Sequence, residues 1–124
     1  MGLDFIGAKA HWAYSGFNRF RERLAQEARI NLSEMQGFKT KDGTKFGTVV
    51  KGKSWDKIND PIKYLLNHSD CEGQISSQRC GLIIPRIKEL IKNWDDNDYD
   101  KQEALKLVNG MEDCFLNKNP LIFS

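Results

Sequence analysis

Few side chains in this chain have chemistry suited to neutral pH. His11 and His68 are its two histidines, and so the two groups whose ordinary titration suits general acid–base work. Asp4 and Asp70 are the carboxylates that could orient them. His68 opens a dense polar run, His68-Ser69-Asp70-Cys71-Glu72-Gly73. A catalytic triad within that run is excluded, because neighbouring side chains diverge and triads are assembled from distant positions. A calcium loop fails as well. Aligning Gly73 and Ile75 with the glycine and apolar positions of an EF-hand puts His68 first and Arg79 last, where a bidentate glutamate is required. The plain alternative is a helix–loop–helix corner in which Asn67, Ser69 and Asp70 bond backbone amides.

Zinc could draw on His68, Cys71 and Cys80 with His11 as a distant fourth ligand, since imidazole and thiolate are the right donors. The spacing does not match the usual knuckles, which pair cysteines two to four apart, and Cys80 falls at a helix core position. No metal or cofactor is expected. A ligand reading starts from His11-Trp12-Ala13-Tyr14: exposed aromatics beside Arg19 and Arg23 could stack on a base, and the following helix start could hold a phosphate. Against it, large aromatics usually fill cores. Gly52-Lys53-Ser54 resembles the end of a phosphate-binding loop but lacks the first glycine. The candidate ligand residues are thus His11, Trp12, Tyr14, Arg19, His68 and Asp70.

These side chains must be positioned by helices. Ser15 is the expected cap of a first helix whose buried stripe is Phe17, Phe20, Leu24 and Ala28. Asn31 to Gly37 reads as a short helix or turn. Between residues 38 and 55 the pattern favours a β-hairpin about Asp42-Gly43, or a mobile loop. Asp60-Pro61 starts a short helix carrying Ile62, Leu65 and Leu66. Ser76 caps a third, with Ile83, Ile87, Leu90, Ile91 and Trp94 as its apolar face; Pro85 lies within it and predicts a kink, with Gly81 making room for the ring. A last helix begins at Asp98 or Asp100, with Asp100 and Glu103 spaced like a capping box. Its stripe is Ala104, Leu107, Val108, Met111, Cys114 and Phe115, and Asn119-Pro120 stops it. The apolar tail Leu121-Ile122-Phe123 is expected to pair with Leu3-Asp4-Phe5-Ile6. The fold class is therefore mainly α with minor β: one domain over residues 1–124, of about four helices.

A length of 124 residues suffices for one core. A hydrophobic fraction of 40% beside 29% charged residues excludes a disordered chain. No run reaches the length of a membrane span and no leader is evident, so a cytoplasmic location is expected, with the three cysteines reduced. A net charge of +2 disfavours general nucleic-acid binding. Charge is nonetheless uneven: Lys39, Lys41, Lys45, Lys51 and Lys53 crowd one stretch, and Asp95, Asp96, Asp98, Asp100 and Glu103 another. These are either an ordinary basic hairpin and acidic helix start, or a bipolar surface in which the lysines contact a partner.

Three stretches carry a family mark: Gly2-Leu3-Asp4; His11-Trp12-Ala13-Tyr14-Ser15-Gly16-Phe17 with Arg19-Phe20-Arg21; and Leu65 through Gly73. Together they resemble a group of small uncharacterised proteins of bacteria and their phages. The resemblance spans most of the chain, is weakest in the lysine-rich stretch, and implies no particular activity. It implies a small accessory product, of the size that phages use against host machinery or host defence. The leading expectation is a non-enzymatic interaction protein that binds and modulates or inhibits a host protein. The alternatives are a small ligand- or nucleotide-binding domain, or a small enzyme, with a pocket around His11 and His68. The pocket readings require residues 11–21 and 67–73 to pack together, and an enzyme further requires a histidine bonded to a carboxylate or thiol. Oligomeric state is left open.

Overall fold

A computed structural model describes residues 2–31, 54–67 and 73–123. The expected hairpin and its five lysines, the turn from Asn31 to Gly37 beyond its first residue, and His68, Asp70 and Cys71 lie outside the described residues.

The chain is mainly helical, with a small sheet, as its patterning implies. Strand β1 (Phe5–Ile6) leads to helix α1 (Tyr14–Glu27), and a single 3-10 turn (Trp55–Lys57) precedes the short α2 (Lys63–Leu66). Then come β2 (Gln74–Ile75), α3 (Ser77–Ile91), α4 (Tyr99–Asn117) and β3 (Leu121–Phe123). Among the described elements, helices α3 and α4 make the most extensive contact. Their periodic faces (Ile83, Ile87, Leu90 and Ile91; Ala104, Leu107, Val108, Met111 and Cys114) are all buried. Phe115 is the exception in its stripe, at 49% exposed. Among the described residues no helix is long and apolar enough to cross a membrane.

The apolar ends do pair. β3 is the central strand, with β1 antiparallel on one side (Phe5 opposite Phe123) and β2 antiparallel on the other (Gln74 opposite Ile122). The backbone N–H of Phe123 donates to the carbonyl of Gly73 at 2.9 Å. Alternation sends Phe5, Leu121, Phe123 and Ile75 inward, where they meet the aromatics of α1. Phe5 and Phe123 pack edge to face at 4.9 Å, and Phe17 lies 6.0 Å from Phe123.

The helix ends show where side-chain capping is used and where it is not. Ser76 Oγ accepts from the Arg79 amide at 3.3 Å, as expected; Asp60 accepts from the Ile62 amide at 3.1 Å, but α2 begins only at Lys63, with Ile62 as its boundary and no side-chain cap. Asp98 caps α4, accepting from the amides of Asp100 and Lys101. Ser15 does not cap α1. A two-way backbone bridge between Leu3 and Trp12 holds the chain extended up to that point, and the helix begins directly at Tyr14 with Ala13 as its uncapped boundary. Nor do Asp100 and Glu103 form a capping box, because both carboxylates are taken by distant partners described below. With one first-turn amide depending on it, Ser76→Ala should cost about 1 kcal/mol in a urea-unfolding midpoint, whereas Ser15→Ala should cost almost nothing.

Candidate functional site

Among the described residues that could do chemistry, His11 lies in the open. The Leu3–Trp12 bridge fixes its orientation: Leu3 and Trp12 point inward, and Asp4 and His11 point out beside one another. Gly2 is part of that arrangement, since a Cβ there would lie 2.5 Å from the Trp12 carbonyl oxygen and 3.0 Å from His11 Cε1. His11 Nδ1 is 2.8 Å from Asp4 Oδ1. An ionised carboxylate can only accept, so in the neutral ring the hydrogen belongs on Nδ1 and the lone pair on Nε2. That is the orientation of a general base. The pair is wet, with side chains 48% and 68% exposed, so water screens much of its interaction.

Helix α4 clamps the backbone of His11. The His11 N–H donates to Glu103 Oε1 at 2.9 Å, and Tyr99 donates its hydroxyl hydrogen to the His11 carbonyl at 2.7 Å. Glu103 is buried, and its other oxygen is 2.9 Å from Lys106 Nζ. Burial, and after it the nearby Glu103 carboxylate, raises the Tyr99 phenol above its ordinary range, and the hydrogen bond to Glu103 raises Lys106. Sequence reasoning missed both Tyr99 and Glu103. The spacing of Glu103 from Asp100 suggested a local cap, and nothing local indicates a bond to a residue 92 positions earlier.

The other candidate residues separate. Trp12 was a candidate for ligand stacking, and here the expectation is corrected: its ring is 1% exposed, stacked on Phe20 at 4.5 Å, and its Nε1–H donates to Asp100 at 3.0 Å. Both the face and the polar edge of the indole are spent inside the protein. Tyr14 is exposed at the first position of α1, and Arg19 is exposed one turn on, with a guanidinium nitrogen 3.9 Å from where a Cβ of Gly16 would be. Arg21, one of the residues in the family mark, is buried and reaches the Leu66 carbonyl at 3.5 Å.

The expected approach of residues 11–21 to residues 67–73 can be followed only at the edges of the second motif. There Arg21 touches Leu66, and Gly73 bonds Phe123, which packs on Phe17. Phe5 and Gly73 flank Phe123 on either side, so Asp4 and Gly73 share one end of the sheet about 10 Å apart, two strand spacings. Among the described residues, no group of three or more His, Cys, Asp or Glu side chains is placed to hold a metal.

Depressions of about 430 Å³ and 470 Å³ lie beside Cys114 and Gly110, and one of about 340 Å³ lies beside Tyr64. None of these three is lined by His11, Tyr14 or Arg19. Cys80 and Cys114 are free and buried; burial pushes the Cys80 thiol up to about 11 and raises Cys114 as well, so neither is an activated nucleophile.

Within the acidic cluster at the start of α4, Asp98, Asp100 and Glu103 are bonded inside the fold, while Asp95 and Asp96 stay exposed. Arg23 binds Asp98 and Asp100, Lys101 Nζ lies 2.8 Å from Asp96, and Asp95 accepts from the Asn97 amide. No known protein family, no curated protein and no solved structure matches this chain.

Proposed function

We propose that this chain is a non-enzymatic interaction protein, phage-encoded, that binds a host protein and modulates or inhibits it. The observation that supports the reading is the set of large apolar side chains left on the outer surface of the α3–α4 pair. Leu82, Phe115 and Leu116 are 55%, 49% and 75% exposed. Phe115 lies across Gly81, whose missing side chain leaves the ring its place next to Leu82 in the chain. Single exposed apolar residues are ordinary, but large aromatic and aliphatic side chains exposed on the same pair of packed helices are the kind of group that a partner surface uses. Asp98, Asp100 and Glu103 are bonded inside the fold, so the exposed apolar side chains rather than these acids carry this reading.

The test is capture from the natural host with a tagged chain, followed by mass spectrometry, with Leu82→Asp/Phe115→Asp as the paired bait. Both positions are exposed, so the variant is expected to fold. A stoichiometric host protein captured by the parent and reduced about tenfold or more in the variant is the expected result. Equal capture by both baits removes this face from the proposal.

A second reading is favoured by one observation, the His11–Asp4 bond at 2.8 Å. It makes His11 a general base for a small substrate, at a site that would also draw on Tyr14 and Arg19. Its test is a thermal-shift screen of small metabolites in which any stabilising compound is repeated on His11→Ala and Asp4→Asn. Stabilisation lost in both variants supports it; stabilisation retained in both overturns it.

A further inference from the structure

We infer that the hollow between α2 and the first turn of α3 is a binding site for the phosphate of a small phosphate monoester. The hollow, about 340 Å³, is lined by Trp55, Asp56, Lys63, Tyr64, Asn67 and Arg79, a volume at the lower end of small-molecule sites. Two cations meet over one aromatic ring here. The Arg79 guanidinium carbon is 4.5 Å from the centroid of Tyr64, and Lys63 Nζ is 5.4 Å from the same centroid. Elsewhere the basic side chains that cluster with others are matched: Arg23 with Asp98 and Asp100, Arg86 with Asp60 and Glu89, Lys101 with Asp96. Among the described residues, no carboxylate lies within ion-pair distance of Lys63 or Arg79, and both are placed over the face of the Tyr64 ring. Asp56, on the rim, bridges to neither.

The positive character is reinforced by the helix. Arg79 stands in the first turn of α3, which carries no acidic residue, although the N-terminal end of a 15-residue helix favours negative charge. Arg79 at the positive end of α3 and Lys63 of α2 share the Tyr64 ring, and two such like charges become favourable neighbours when a divalent oxyanion lies between them. The place of the Arg79 guanidinium over Tyr64 leaves N–H groups for a bidentate pair of phosphate oxygens. Lys63 supplies the point charge, and the Asn67 amide a neutral donor. Asp56 disfavours a second anionic group and would accept from a hydroxyl on the body of the ligand. The assignment is independent of the apolar face on α3 and α4.

The experiment is a titration of the isotope-labelled full chain, in phosphate-free buffer at low salt, with ribose 5-phosphate, adenosine monophosphate and inorganic phosphate in separate arms. Saturable shifts at Tyr64, Asn67 and the Arg79 side-chain N–H are expected, with dissociation constants below about 1 mM for at least one monoester. Stronger binding of the nucleotide than of the sugar phosphate would identify a nucleotide, and equal binding a sugar phosphate. Lys63→Gln/Arg79→Gln should weaken binding about tenfold or more, Arg79→Lys should lose part of it, and Asp56→Asn should strengthen it about twofold or more. The exposed or half-exposed positions make all three variants tolerable, checked by unchanged spectra elsewhere. The inference is overturned if no monoester gives saturable shifts by about 10 mM, if only inorganic phosphate binds, or if the double variant binds as the parent does.

Discussion

Gly110→Ala should unfold at a urea concentration corresponding to a loss of about 3 kcal/mol, while Gly81→Ala should change stability by less than about 1 kcal/mol. Both glycines are inside helices, where alanine is intrinsically better by about 1 kcal/mol, so propensity alone predicts that both substitutions stabilise. What decides is the neighbour each new methyl would meet. At Gly110 it would lie 2.4 Å from the carbonyl oxygen of Gly7, 2.5 Å from Ala8 Cα and 2.3 Å from Ala8 Cβ. That is backbone, and it cannot swing aside. Gly7 itself is at φ 111°, in the region glycine favours, and follows directly on β1, so shifting it disturbs the sheet edge as well. At Gly81 the methyl would meet the ring of Phe115 at 2.5 Å. Phe115 is half exposed and can rotate into solvent, giving up a contact but no backbone geometry. The measured gap between the two variants should exceed about 2 kcal/mol. A Gly110→Ala protein as stable as the parent would mean that α4 does not approach the Gly7–Ala8 segment so closely.

The same pair of glycines shows how far this fold can be read before it is seen. A 3.6-residue period needs only local sequence, and the stripes of α3 and α4 were legible because each is repeated over four or five turns. The antiparallel pairing of the two chain ends was legible for a different reason: Leu121-Ile122-Phe123 and Phe5-Ile6 are too apolar to be left in water. β2 was not legible, because two residues carry no period and Gln74-Ile75 becomes a strand only through the neighbour β3. Gly81 was read as space for the ring of Pro85, four residues on; it is space for Phe115, from another helix. Glu103 and Asp100 have the spacing of a local cap and are tertiary ligands, one for the His11 amide, the other for Arg23 and Trp12. At the candidate site the sequence singled out His11 and its carboxylate Asp4, because a histidine has few chemical alternatives. Trp12 was misjudged, because an indole fits a binding surface and a core equally well until its neighbours are known.

Arg23→Ala should cost about 2 kcal/mol and should alter the acid limb of the stability curve as well as its height. Arg23 bonds both oxygens of Asp98 at 3.0 Å and one of Asp100 at 2.8 Å, and lies 3.8 Å from the centre of Trp94. Asp100 in turn accepts the indole N–H of Trp12, and Asp98 caps α4. One guanidinium therefore ties α1 to the start of α4, to the core tryptophan and to the segment between α3 and α4. Its side chain is 36% exposed, which moderates the cost relative to a fully buried pair. The hydrogen bond from Arg23 is the largest cause holding the Asp98 carboxyl below its usual range, with Arg23 raised in return. A carboxylate whose native pKa is depressed contributes stability that is complete above its unfolded value near 3.9 and is lost as pH falls through the lower native value. The parent should therefore lose stability steeply below about pH 4, and Arg23→Ala should lose less over that interval, so the two curves converge toward pH 2. Asp98→Asn, which removes the titrating group but keeps a capping oxygen, should flatten the same limb. Parallel curves for parent and Arg23→Ala between pH 2 and 5 would show that the Arg23–Asp98 bond does not set the acid sensitivity of this fold.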